Sequence, residues 1–205
     1  MEKCYIGKKR LDRAIELYQR VVPAGSEDTF DITWHPFYLD PNAPKAAVPT
    51  SQRLAEKFGA DRVPSMMERM TRMGNSDGIK FSFGNKTGHT RDAHRLLALA
   101  KQKGVQSEVA DALFHSYFEA DGDITSHDML VAAAEKGGLA SEETKKWLDG
   151  DEGGEQVDYE VSVAYKAGIH GVPKFTINNK FHVDGAQDVE TFLDGLVRAK
   201  EALKP

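Results

Sequence analysis

Strand-like sequence occurs only near the two ends of this chain, and the long middle section has helical patterning. Near the start, a helical stretch from about residue 5 to 22 precedes residues 30–37, where apolar and polar side chains alternate as in a strand. Near the end, a helix over 157–167 precedes strands over 174–177 and 181–183 and a helix over 189–202. The sequence therefore predicts an α/β domain formed by residues 1–45 and 151–205 and interrupted by a helical insertion over 46–150.

Four hydroxyl side chains mark expected helix starts inside this insertion. Each precedes a stretch with helical spacing, and serine and threonine oxygens accept hydrogen bonds from the unpaired N–H groups of a first helical turn. The predicted N-caps are Thr90, Ser107, Ser126 and Ser141.

Composition excludes several functional classes. Lysine and arginine number 27 against 32 aspartates and glutamates, and the resulting net charge of −5 disfavours a nucleic-acid partner. No apolar run approaches the length of a bilayer span, so no membrane partner is expected either. The first residues lack the apolar stretch of a signal peptide, which makes the cytoplasm the expected location. Cys4 is the only cysteine, so these 205 residues cannot form an internal disulfide.

Three segments resemble one known family. Residues 4–11, CYIGKKRL, are similar to the stretch that follows the redox motif in DsbA-family proteins of the FrnE type. Residues 88–96 resemble that family's Asn-Thr-x-x-Ala-His-Arg-Leu segment. Residues 171–175 and 183–187 resemble its cis-proline strand and its Gly-Ala-Gln turn. The resemblance implies a thioredoxin-like fold with a large all-helical insertion and a thiol–disulfide oxidoreductase activity.

The chain departs from the family pattern at its start. Cys4 matches the second cysteine of the family's Cys-Pro-Trp-Cys motif, Met1 stands at the attacking position, and the first strand is absent. We expect that the natural protein is longer; a strand supplied by a partner, or closure of the remaining strands, are the alternatives. Cys4 at the second position is expected to be less exposed and less activated than an attacking cysteine. A second departure is His89, which stands where the family usually has asparagine.

The resemblance also suggests roles for four other residues. It makes the Val172–Pro173 bond cis, which leaves the Val172 backbone free to pair with an extended substrate. Pro173 is thus a predicted catalytic-site residue together with Cys4, and Val172 a predicted substrate-binding residue. His94 and Arg95 are expected either to support the insertion or to line the substrate cleft. No metal site is expected, because the histidines form no ligand cluster.

Three functions remain open at this point. The first is a thiol–disulfide oxidoreductase impaired in dithiol cycling, which exchanges with a protein or small-molecule thiol or disulfide and has glutathione as a possible co-substrate. The second is a glutathione-dependent isomerase or transferase of the kappa-class or hydroxychromene-carboxylate-isomerase type. The third is a catalytically inactive binding domain. Cys4 itself can also be a small buried apolar residue with no redox role.

Overall fold

The computed structural model describes residues 1–203, and α-helices dominate it. The helices are α1 (Glu2–Val21), α2 (Thr50–Phe58), α3 (Val63–Ser76), α4 (Arg91–Gln102), α5 (Gln106–Phe118), α6 (His127–Lys136), α7 (Ser141–Asp149), α8 (Gly154–Lys166) and α9 (Val189–Glu201). The strands are β1 (Val48–Pro49), β2 (Lys86–Thr87), β3 (Lys174–Ile177) and β4 (Phe181–Asp184). They form two antiparallel pairs, β1 with β2 and β3 with β4. Within the described residues, no helix has both the length and the apolar character that a membrane span requires.

The chain divides into two compact units. Among the described residues, the terminal unit comprises residues 1–31 and 169–203, and the helical unit comprises residues 32–168. These limits differ from the division at 45 and 150 expected from the sequence. The reason lies in the packing of the flanking segments, because Tyr38 forms a buried cluster with Val157 and Val161 of α8. Residues on both sides of the expected insertion therefore belong to its core.

The terminal unit consists of α1 and α9 with the β3–β4 hairpin. Its buried core contains Ala14, Tyr18, Val183, Phe192 and Leu196. The predicted hairpin is confirmed, with Ile177 opposite Phe181 across a connection of three residues, Asn178, Asn179 and Lys180. The turn residues, Asn178 and Asn179, have φ of 48° and 56°, a left-handed conformation that asparagine tolerates better than most residues.

The strand predicted over residues 30–37 is wrong. Among the described residues this segment has no strand neighbour. The side chain of Gln106 instead satisfies the backbone of Trp34: Oε1 accepts from its N–H at 2.9 Å, and Nε2 donates to its C=O at 3.0 Å. Alternating side chains indicate that a segment can be extended, but a strand also needs a hydrogen-bonded neighbour.

Helix starts in the helical unit follow the predicted caps only in part. Ser126 caps α6 as expected, accepting from the Met129 N–H. Thr90 stands at the N-cap position of α4 without a side-chain cap bond. The prediction for Ser107 is wrong, because α5 begins at Gln106 and the Ser107 hydroxyl accepts from the Trp34 indole N–H. Ser141 is the first residue of α7 and not the residue before it.

Candidate thiol site

Cys4 lies in the first turn of α1. Its N–H donates to the carbonyl of Met1 at 2.8 Å, and its side chain is half-buried with a free thiol. Burial raises the pKa of the Cys4 thiol, and the Glu2 carboxylate adds to the effect, while the N-terminal ammonium group opposes it. The usual effect of a helix N-terminus is to lower a thiol pKa, so desolvation prevails here. The group is therefore a protonated thiol at neutral pH and a weak attacker.

Gly7 brings α1 against the segment that contains Pro173. A methyl group at Gly7 would lie 3.2 Å from Pro173 Cγ and 3.0 Å from Phe175 Cζ. Residues three apart on a helix are neighbours, so Cys4 lies one turn before this contact. A side chain at position 7 would push the Pro173 segment away from the helix that carries the thiol.

The Val172–Pro173 peptide bond is cis. The carbonyl of Pro173 accepts from the Gly185 N–H at 2.8 Å, which extends the β3–β4 pairing by one hydrogen bond beyond Lys174 and Asp184. Within the described residues, the N–H and C=O of Val172 make no backbone hydrogen bond. Cys4, Gly7, Val172 and Pro173, all in the terminal unit, are called the thiol site below.

His94 belongs to the helical unit. Its Nε2 lies 3.1 Å from the carbonyl oxygen of Phe37, and its ring packs near that of Tyr38. Burial lowers the pKa of His94 to about 4, so the ring is neutral at physiological pH. It also lines a cavity of about 230 Å³ together with Trp34 and His35. The structure thus gives His94 a packing role within the helical unit.

Of the two roles expected for Arg95, support of the insertion and lining of the cleft, its contacts favour the first. Only 2% of Arg95 is exposed. Its guanidinium donates to the carboxylate of Asp92 and to the carbonyls of Trp147, Leu148, Gly150 and Glu152. These carbonyls include the end of α7, where backbone oxygens lack helical partners. With its donors occupied in this way, the guanidinium supports the insertion and does not line a cleft.

His89 supplies the polar contact that the sequence left open. Its Nδ1 accepts from the Arg91 N–H at 3.2 Å, at the start of α4. Its ring also packs against Tyr38, with centroids 4.9 Å apart. An imidazole nitrogen therefore provides the acceptor at this helix start.

Comparison with known proteins decides the family. The sequence model of the DSBA-like thioredoxin domain matches residues 3–197. This chain belongs to the DSBA-like thioredoxin domain family. Among solved structures, it is similar to one described as a probable DsbA oxidoreductase from Streptomyces coelicolor, with 26% sequence identity and a TM-score of 0.86. That similarity covers 100% of this chain and 88% of the other. No curated protein matches the chain.

Membership of the DSBA-like family confirms the fold expected from the sequence, a thioredoxin-like domain with a helical insertion. It also supports the coarse assignment to the thiol–disulfide oxidoreductases. Among the described residues, no group of three His, Cys, Asp or Glu side chains could hold a metal ion.

Sequence reasoning overlooked two contributors to this DSBA-like site. Gly7 was quoted only as part of a matching segment, although a glycine inside a helical pattern signals a close approach of backbone. Gly185, with φ of 81°, was identified only as part of the Gly-Ala-Gln turn, although its N–H donates to the Pro173 carbonyl. The partners of Gly7 are distant in sequence, and the pairing of Gly185 with Pro173 depends on the register of the β3–β4 hairpin.

Proposed function

We propose that this chain carries out single-thiol exchange through Cys4. The observation that carries the proposal is the placement of Cys4 in the first turn of α1, one turn before the contact of Gly7 with Pro173. The family match supports the class of reaction. A thiol at a helix N-terminus, beside a segment in which Val172 makes no backbone hydrogen bond among the described residues, suits the binding of an extended disulfide substrate.

The reaction proceeds in two balanced steps. The Cys4 thiol loses its proton to solvent, and the thiolate attacks one sulfur of a substrate disulfide; a bond forms between Cys4 and that sulfur, and the other sulfur leaves as a thiolate. An external thiol, such as glutathione, then attacks the Cys4 sulfur and releases the first substrate half. The 205 residues contain no second cysteine to resolve the mixed disulfide internally, so dithiol cycling is impaired.

The pKa of Cys4, the backbone of Val172 and the ring of Pro173 each affect this reaction. The raised pKa of Cys4 keeps the thiolate fraction low and makes the attack slow at neutral pH. Val172 offers its N–H and C=O to the backbone of an extended substrate, as an added strand would use them. Pro173 holds that segment beside the helix.

We extend the proposal to partners and location. The partners are a protein or small-molecule thiol or disulfide, with glutathione as co-substrate and without nucleic acid or membrane. The location is the cytoplasm, and the subtype is FrnE-like. The motif match of residues 4–11 supports the subtype.

The test is to incubate the chain with oxidised glutathione and to determine its intact mass under non-reducing conditions. Addition of one glutathionyl group, reversed by reduced glutathione and absent in Cys4→Ala, supports the proposal. If Cys4 reacts only after unfolding in urea, the redox role is refuted and the inactive binding domain is favoured. If glutathione binds without a covalent bond and an electrophile is turned over, the isomerase or transferase replaces the proposal.

A further inference from the structure

We infer that Arg10 is a positioning residue for the reaction at Cys4. It clamps the turn over residues 185–187, and that turn in turn holds Pro173 beside α1. The inference rests on the proposed function, since it concerns how the thiol site is held in place. Arg10 lies in the segment over residues 4–11 that resembles the family motif, and the two turn carbonyls that it bonds lie near the other end of the sequence.

The clamp is a pair of hydrogen bonds from one nitrogen. Arg10 Nη1 donates to the carbonyl of Ala186 at 2.9 Å and to that of Gln187 at 3.2 Å. Hydrogen bonds from a charged donor are stronger than those between neutral groups. A turn whose carbonyls face one guanidinium nitrogen is fixed relative to the helix that carries it.

The turn is also closed by its own hydrogen bonds. The Gln187 N–H donates to the Gly185 carbonyl at 3.0 Å, and Gln187 Nε2 donates to the Asp184 carbonyl at 2.8 Å. Gly185 has φ of 81°, which favours glycine at this position. These bonds couple the residues of the turn, so a displacement at Ala186 or Gln187 is transmitted to Gly185.

Gly185 transmits the clamp to the thiol site. Its N–H donates to the Pro173 carbonyl at 2.8 Å, immediately beside the pair formed by Lys174 and Asp184. The carbonyl of Pro173 is thus held by the same residue that begins the clamped turn. Arg10 therefore acts on Pro173 through Gly185.

Successive turns of α1 carry the three elements of the site. Cys4, Gly7 and Arg10 follow one another at intervals of three residues along α1. Cys4 provides the thiol, Gly7 approaches Pro173, and Arg10 bonds to the turn over residues 185–187. Helical residues three apart are neighbours, so the helix determines the spacing of all three. A displacement of about 1 Å between reacting groups can cost up to about a hundredfold in rate, so this spacing matters for catalysis.

The experiment compares Arg10→Met and Arg10→Lys with the unchanged chain, and uses Arg20→Met as the matched control. Arg20 is exposed in the last turn of the same helix. Two rates are measured for each protein: mixed-disulfide formation with a short peptide disulfide, which must bind beside Val172, and alkylation of Cys4 by iodoacetamide, which needs only access to the thiol.

We expect Arg10→Met to slow the peptide reaction by about tenfold or more and to change alkylation by less than about twofold. Arg10→Lys should recover part of the peptide rate, because both bonds come from a single nitrogen and an ammonium group has three donors. Arg20→Met should match the unchanged chain in both reactions. An unaltered peptide rate in Arg10→Met, or an equal loss in both reactions, would overturn the inference.

Amide hydrogen exchange measures the clamp without any reaction. In both Arg10 variants the Gly185 amide should exchange faster, while the Thr191 amide, which donates to Asp188 Oδ1 at 2.8 Å, stays unchanged. Equal acceleration at both amides indicates general loosening and overturns the clamp, as does an unchanged Gly185. If the unchanged chain does not react with the peptide disulfide, the proposed function fails, and exchange at Gly185 alone decides whether the clamp exists. Should Arg10→Met not fold, Arg10→Lys carries both measurements.

Discussion

Arg95→Met tests the internal support of the helical unit. The methionine keeps most of the apolar stem and removes every guanidinium donor. In the folded chain, that guanidinium donates to the carbonyls of Trp147 at 2.5 Å, Gly150 at 2.7 Å and Glu152 at 3.0 Å. A fourth carbonyl bond, to Leu148 at 3.4 Å, is weaker. The connection between α7 and α8 therefore loses its common donor.

The magnitude follows from how well water can replace the guanidinium. An unpaired buried carbonyl costs about 1–3 kcal/mol. Gly150 and Glu152 are exposed, so water compensates them in part and we assign each about 1 kcal/mol; Trp147 is half-buried and we assign it about 2 kcal/mol. Burying the methionine side chain returns about 1 kcal/mol. We expect the free energy of unfolding to fall by about 3 kcal/mol, a large share of a typical domain stability of about 5–15 kcal/mol.

Urea unfolding followed by tryptophan fluorescence and by circular dichroism measures this loss. Trp147 is a suitable reporter, because its indole N–H donates to the Arg95 carbonyl at 3.1 Å. Arg72→Met is the matched control: the Arg72 side chain is 66% exposed and, among the described residues, pairs only with Glu68 on the same helix, so the free energy of unfolding should fall by less than about 0.5 kcal/mol. A loss of less than about 1 kcal/mol in Arg95→Met would refute the reasoning, since it would mean that the carbonyls do not depend on the guanidinium.

Three further predictions concern crowding and pH. Gly7→Ala should lower the free energy of unfolding by about 1 kcal/mol, because crowding against Pro173 and Phe175 exceeds the gain in helix propensity; a raised urea midpoint would contradict it. The folded-state pKa of His94, about 4, lies below its ordinary 6.5, so its stabilising contribution is full above pH 6.5 and is lost as the pH falls toward 4. Denaturant titrations at several pH values should show that the free energy of unfolding depends less steeply on pH between 6.5 and 4 in His94→Gln than in the unchanged chain. An identical dependence in both proteins would exclude His94 as its source. Burial raises the pKa of Cys4, so the pH at which its alkylation rate reaches half of its maximum should be higher than for a cysteine in an unfolded peptide. A midpoint equal to or below that of the peptide would argue against a desolvated thiol.

Sequence alone determined those turns, caps and helix starts that depend on residues close together in the chain. The β3–β4 hairpin follows from two apolar runs around an Asn-Asn turn, and the cap of α6 follows from Ser126 and the N–H groups that it can reach. The motif at Cys4 was sufficient to place the thiol near the start of a helix. Each of these depends on residues within a few positions of one another, so a linear pattern contains the necessary information.

Tertiary structure decided what depends on distant partners. Residues 30–37 have the pattern of a strand, but among the described residues only the Gln106 side chain bonds to the Trp34 backbone, so no strand forms. Sequence left two roles open for Arg95, support of the insertion or lining of the cleft, and bonds to four carbonyls more than 50 positions away favour the first. Arg10 Nη1 bonds to the carbonyls of Ala186 and Gln187 at separations of 176 and 177 residues. A side chain's role is set by which donors and acceptors folding brings within about 3 Å, and periodicity along the chain contains no record of that.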